Sequence, residues 1–201
     1  TPQNIESTNG TTFQTLPDGT LLAGGDSPET ETYTITTQTS LRNVSAIRLE
    51  VIPDPTLPEA GSGRGKGGNF VLSQVALKVG DEDQPWDRAA ADYSAANFAV
   101  QAATMAKELK KQGWSVDSQQ QQPHAAVFIL KEPLPQTSDA ATTLTFRIEQ
   151  QNAKPQQTLG RFRIAITNDP AAALRLELPT EILTIVDTPS TARDAAQSKK
   201  L

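Results

Sequence analysis

Five glycines, an arginine and a lysine crowd into residues 61–70, "GSGRGKGGNF". A loop of this kind could cradle a phosphate with its backbone N–H groups. Gly63, Gly65 and Gly68 satisfy G-x-G-x-x-G. A dinucleotide site needs that motif between a strand and a helix, so that the helix N-terminus meets the pyrophosphate. Here the Pro-rich "PDPTLPEA" precedes it and the strand-like "NFVLSQV" follows. A P-loop would need G-x-x-x-x-G-K-[ST]; Gly65-Lys66 is followed by Gly67, and the first glycine position holds Ala60. Both nucleotide readings fail on context. The glycines are expected to let the chain turn and approach another backbone closely.

Other residue types could carry chemistry elsewhere. His124 is the single histidine. A catalytic triad would need it beside a serine and a carboxylate, and zinc would want further nitrogen or thiolate ligands. It either serves structure or hydrogen-bonds a sugar. Two carboxylates flanking a cleft would suit glycoside hydrolysis, but no pair stands out. Asp81, Asp83 and Asp87 in "GDEDQPWD" offer oxygen ligands for calcium without the EF-hand spacing, and a solvated acidic turn is the simpler reading. Trp86 and Trp114 lie beside turns, where an indole could stack on the apolar face of a sugar ring or pack into the core. Arg161 and Arg163 flank Phe162, and Arg48 and Arg147 also point outward. They could bind an acidic glycan or pair with neighbours such as Glu50 and Glu149.

The elements that must position these residues read as strands. In "VSAIRLEVI" (44–52), Ile47, Leu49 and Val51 alternate with Arg48 and Glu50, the pattern of a strand with one buried face. "TTLTFRIEQ" (142–150) and "GRFRIAIT" (160–167) repeat it. "TYTITTQT" (32–39) is rich in β-branched residues. "NFVLSQVALKV" (69–79) and "HAAVFIL" (124–130) are apolar on both faces and suit central strands. Asp-Gly in "LPDGT" (16–20) marks a hairpin. About eight strands without alternating helices predict an all-β, antiparallel β-sandwich of jelly-roll type. Helix formers predict a short helix at 102–111, ended by Gly113. The tail reads as short helical pieces broken by Pro189, with Thr180 and Thr188 or Ser190 as caps. The division expected is a flexible segment at 1–10, a sandwich at 11–170 and a helical tail or linker at 171–201.

Composition narrows the function classes. A net charge of -5 opposes nonspecific binding to nucleic acid or anionic membrane. With no cysteine, disulfides, thiolate metal sites and cysteine nucleophiles are excluded within these 201 residues. No apolar run approaches the roughly 20 residues of a membrane span. The N-terminal "TPQNIESTNG" has no signal-peptide character. The chain is expected to be a segment of a longer protein.

The block "LEVIPDPTLPEAGSGRGKGGNFVLSQVAL" (49–77) resembles a signature of large planctomycete proteins that carry a cytochrome c-type domain and further domains of unknown function. "LPDGTLLAGGDSPETETYTI" (16–35), "AAADYS" (89–94) with "GWSV" (113–116), "HAAVFIL" and "TLGRFRIAIT" (158–167) fit the same region. Ser62 and Gln74 depart from the family's usual proline and acid. The stretch "ATMAKELKKQGW" lacks the aspartate of a turn that sometimes lies near calcium in galactose-binding-like sandwiches. The resemblance implies a carbohydrate-binding-like, galactose-binding-like β-sandwich in a larger extracytoplasmic (periplasmic or secreted) protein. The expected role is noncatalytic sugar recognition, with Trp86, Trp114, His124, Arg161 and Arg163 as ligand contacts and no cofactor unless calcium at Asp81, Asp83 and Asp87. The alternative is a structural spacer that positions neighbouring domains. An enzyme is the third and weakest class.

Overall fold

A computed structural model of the chain describes residues 2–105, 108–134, 141–169, 171–172, 185–186 and 188–200. Eleven strands form two antiparallel sheets packed face to face: β1 (Asn4–Ser7), β2 (Thr12–Thr15), β3 (Leu21–Gly24), β4 (Glu31–Thr39), β5 (Val44–Val51), β6 (Gln74–Val79), β7 (Glu82–Asp83), β8 (Trp86–Ala91), β9 (His124–Leu134), β10 (Thr142–Gln150) and β11 (Arg161–Thr167). One sheet has the order β1-β4-β10-β6-β7 and the other β2-β3-β11-β5-β9-β8. The expected all-β sandwich is therefore the fold found. Among the described residues no helix is long and apolar enough to cross a membrane.

The alternation in the sequence explains the layers. Tyr33 and Ile35 of β4, Leu144, Phe146 and Ile148 of β10, and Val75 and Leu77 of β6 face inward from one sheet. Ile47, Leu49 and Val51 of β5, Phe128 of β9 and Phe162 of β11 meet them from the other. Because side chains alternate along a strand, Arg48, Glu50 and Arg163 are left on the outer face. Tyr33 stacks on Phe162 with centroids 5.8 Å apart, and Phe13 meets Tyr33 edge-on at 4.8 Å.

Several expectations differ from the structure. Within residues 1–10, expected to be flexible, β1 pairs residue for residue with β4. The helix expected at 102–111 is a 3-10 turn at Val100–Thr104 that buries Val100 and Ala103, and Glu108 adopts a positive φ of 48°. Packing of those two side chains overrides the helix propensity of the alanines; residues 106–107 lie outside the described set. The long strand expected at 69–79 is regular only from Gln74, because Leu72 instead exchanges backbone hydrogen bonds with Trp114. In the tail, helix α1 (Ala195–Lys199) is capped by Asp194, which accepts from Gln197 N at 2.7 Å while Gln197 Oε1 accepts from Asp194 N. The cap is therefore Asp194 rather than Thr188 or Ser190, and the 3-10 turn at Ser190–Ala192 has no side-chain cap; Thr180 lies outside the described residues.

The glycine loop is a folded knot rather than a phosphate cradle. Gly63 N donates to Gly68 O, Gly65 N to Asn69 O, and Arg64 N to Thr158 O. Arg64 is buried and donates to Thr11 Oγ1 at 3.0 Å and to the carbonyls of Gly25 and Asp26 at 2.7 Å each. Thr11 Oγ1 in turn donates to Glu31 Oε2 at 2.8 Å. The buried Glu31 carboxylate also accepts from Thr8 N and Oγ1, Asn9 N and Thr32 N. Burial alone would raise its pKa; hydrogen bonds from Thr11, Thr32, Thr8 and Asn9 outweigh that and hold it below its ordinary value.

Two stability predictions follow from this knot. A methyl on Gly63 would overlap the Asn69 carbonyl, whereas one on Gly67 meets nothing. Gly63→Ala should cost about 3 kcal/mol in urea unfolding, and Gly67→Ala should stay within about 0.5 kcal/mol of the parent. Glu31→Gln should cost roughly 1.5–3 kcal/mol at neutral pH. A carboxyl lowered in the folded state stabilises above its unfolded pKa and loses that contribution as pH falls through the folded value. The difference between Glu31→Gln and the parent should therefore shrink as pH falls below the carboxyl's ordinary value of 4.5, as urea titrations at stepped pH would show.

Candidate functional site

The outer face of the six-stranded sheet carries a hollow of about 390 Å³. It sits across β11, β5, β9 and the end of β8. In register, Arg163 lies opposite Glu50, and Glu50 opposite Ala125. Ala125 has only a methyl to offer, so the sheet dips there between longer neighbours. Ala125, Ile52 and Pro123 make the apolar floor and one wall, while Arg48, Glu50, Arg163, Asp92 and His124 supply the polar rim.

The rim is ordered by two clusters. In the first, Arg48 Nε donates to Glu50 Oε1 at 2.8 Å and Arg163 Nε to Glu50 Oε2 at 2.7 Å. Each carboxylate oxygen thus holds one guanidinium; Arg163 meets Glu50 through a second nitrogen as well and reaches Asp18 O at 3.5 Å, while Arg48 meets Glu50 through Nε. Burial would raise the Glu50 pKa, but the hydrogen bonds and charges of Arg163 and Arg48 more than offset it, so the carboxyl is held below its ordinary value. In the second, Asp92 Oδ2 lies 3.2 Å from His124 Nδ1 and Asp92 Oδ1 accepts from Ala125 N at 3.0 Å. His124 Nε2 lies 3.1 Å from Gln119 O, and Tyr93 packs 5.3 Å from the imidazole. Both ring nitrogens are thereby engaged with oxygens of the protein itself.

This geometry separates the residues expected to bind. Arg163 and His124 come together in the hollow. Trp86 and Trp114 do not join them. Trp114 is 0% exposed, packs edge-on against Phe70 and donates its indole N–H to Tyr93 O. It is a core residue with no face for a ligand, a correction to the stacking role. Trp86 is half-buried against Phe128, and its indole N–H donates across the sandwich to Val75 O at 2.7 Å, tying β8 to β6. Arg161 clamps the 16–20 hairpin: it donates to Asp18 at 2.6 Å, Asp54 at 3.2 Å and Thr20 at 3.0 Å. Thr20's side chain and backbone N–H, aided by Arg161, lower the pKa of Asp18 to about 2. That clamp makes Arg161 a structural residue. Asp81, Asp83 and Asp87 are exposed, and Asp83 pairs with Lys78 at 3.7 Å. Among the described residues, no group of three or more His, Cys, Asp or Glu side chains is placed to hold a metal ion.

Sequence reasoning missed Asp92. Its only signal is an acid at the end of an alanine run, and its role depends on β8 pairing with β9. Glu50 was legible as an outward acid and a partner for arginines, though not as the shared anchor of Arg48 on its own strand and Arg163 on the next.

The Glu50 cluster is directly testable. In a carboxyl NMR titration Glu50 should titrate below its ordinary value of 4.5, and Arg163→Ala should move the midpoint upward. An unchanged midpoint in the variant would mean that Arg163 does not set the charge of the hollow.

A scan of the sequence against protein-family models finds no match, and searches of curated proteins and of solved structures find none either.

Proposed function

We propose that the chain is a noncatalytic, carbohydrate-binding β-sandwich module of a larger extracytoplasmic protein, and that the outer face of the six-stranded sheet is its ligand face. The observation that carries this reading is the hollow over Ala125, where arginine donors and carboxylate acceptors ring an apolar floor. Sugar hydroxyls both donate and accept, and the C–H face of a pyranose is apolar, so this alternation of groups suits a saccharide. With both tryptophans engaged elsewhere, binding rests on hydrogen bonds from Arg48 and Arg163 and to Glu50 and Asp92. His124 acts as a positioning residue that holds Asp92 at the rim.

The sequence resemblance to galactose-binding-like regions of planctomycete proteins supports the same reading. The alternative, a spacer between neighbouring cytochrome c-type and other domains, calls for a broad apolar docking patch. Among the described residues Met105, 41% exposed, is the one exposed large hydrophobic side chain, so recognition by the hollow has the better support.

A glycan array covering neutral, uronate-containing and sulfated saccharides tests this. Binding should appear for at least one class, should survive chelator, and should fall at least about tenfold in Arg163→Ala. That variant should lose no more than about 1 kcal/mol of stability, as an exposed ion pair would. Silence across the array would sink the carbohydrate reading, and binding indifferent to Arg163→Ala would move the site elsewhere.

A further inference from the structure

Strand β11 is paired along its whole length on one side only. Toward β5 it is in register from Phe162 to Thr167. Toward β3 pairing stops after Arg161 and Phe162, because β3 begins at Leu21 and the chain ahead of it turns back through the 16–20 hairpin. Ile52 N donates to Arg161 O at 2.9 Å, so Arg161 directs its carbonyl to β5. Antiparallel alternation then gives Arg163, Ala165 and Thr167 the same direction, and turns the N–H and C=O groups of Ile164 and Ile166 the other way. No backbone hydrogen bond from the described residues meets them there.

Two hollows open on opposite faces of the sheet at this same edge. The inner one, about 170 Å³, lies between the sheets and is lined by Ile35, Phe146, Ile164, Ile166 and Pro2 among others. Its presence leaves Ile164 and Ile166 only partly buried although they face the core. The outer one, about 180 Å³, is lined by Arg48, Val127, Ala165, Thr167, Asp169 and Ala172 among others. Ala165 is exposed and small, so nothing on β11 stands between Arg48 and the edge. The Arg48 side chain is 40% exposed and uses Nε for Glu50, leaving its terminal amino groups as donors toward this side. Asp169, which also lines this hollow, accepts from Ala171 N.

We propose that this edge is a docking site for an extended peptide segment of another protein, which adds as a strand beside β11. Its backbone would complete the hydrogen bonds of Ile164 and Ile166. Its side chains would alternate, apolar residues entering the inner hollow on either side of one acidic residue that faces Arg48. An unpaired strand edge supplies affinity through the main chain, and hollows on alternate faces supply specificity. The apolar–acidic–apolar pattern follows from the charge of Arg48 and the hydrocarbon lining within. This site is separate from the hollow over Ala125 except for Arg48, and the proposal stands without the carbohydrate reading.

Hydrogen exchange by NMR on the labelled chain tests it, with the capped synthetic heptapeptide Ser-Thr-Val-Glu-Val-Thr-Lys as the probe. In the free protein the amides of Ile164 and Ile166 should exchange rapidly. Millimolar peptide should protect both by at least about tenfold, and the peptide with Lys in place of Glu should bind about tenfold more weakly. Ile164→Pro, which removes one edge N–H, should abolish protection at Ile166. Should that variant not fold, Ala165→Trp, which fills the outer hollow and leaves the backbone intact, should weaken binding instead. Amides that stay unprotected at millimolar peptide overturn the proposal, as does binding that neither variant affects. Protection already present in the free protein also overturns it. If that protection grows with protein concentration, a second copy occupies the edge; if not, the chain covers it itself.

Discussion

A single buried carboxylate organises one end of this sandwich. Glu31 opens β4, and its oxygens collect the backbone or hydroxyl groups of Thr8, Asn9, Thr11 and Thr32. Through the Thr11 hydroxyl it is linked to Arg64, which holds the carbonyls of Gly25 and Asp26. A buried anion and a buried cation thus share one hydroxyl, and each makes further hydrogen bonds to the chain. Burying either alone would be costly; together they fix the β1–β2 crossing, the β3–β4 connection and the glycine loop in one place. The glycines are required because that loop must lie backbone to backbone against Asn69 and Leu159.

From that anchor the outer sheet face follows by parity. Once Phe162, Leu49 and Phe128 are committed to the core, Arg163, Glu50 and Ala125 share a row on the opposite face. The hollow exists because an alanine occupies the β9 position of that row while arginines occupy the positions around it. Glu50 is what keeps Arg48 and Arg163 side by side, since two guanidiniums without it would repel. The polar rim is therefore as much a consequence of strand register as of the residues themselves.

Much of this architecture is legible from residue order. Ile47, Leu49 and Val51 alternate with Arg48 and Glu50 strongly enough to define β5 and its buried face, and Asp18-Gly19 marks the turn between β2 and β3. What escaped reading depends on partners distant in sequence. The alanines near residue 102 favour a helix locally, yet Val100 and Ala103 are drawn into the core and only a 3-10 turn forms. Trp114 sits beside a turn, the place for a sugar platform, but its pairing with Leu72 carries it inside. Arg161 looks like Arg163 in the sequence; the 16–20 hairpin gives Arg161 the Asp18 carboxylate and Arg163 only the Asp18 carbonyl, so the charge of Arg163 is met by Glu50. Asp92 and His124 are thirty-two positions apart and meet only because β8 lies beside β9.

The pairing of β4 with β10 has a consequence for how the chain is made. Thr36 lies opposite Thr145, more than a hundred residues later. Strand β5 likewise waits for β9 and β11 on its two sides. A nascent chain that has passed β5 therefore holds β4 paired only with the four residues of β1, and β5 with neither of its neighbours, and neither sheet can close until β9, β10 and β11 have been made. Loop closure over such separations is entropically slow. Until it occurs, the strands that later form the centre of each sheet are temporary edges, open to pairing with another nascent copy.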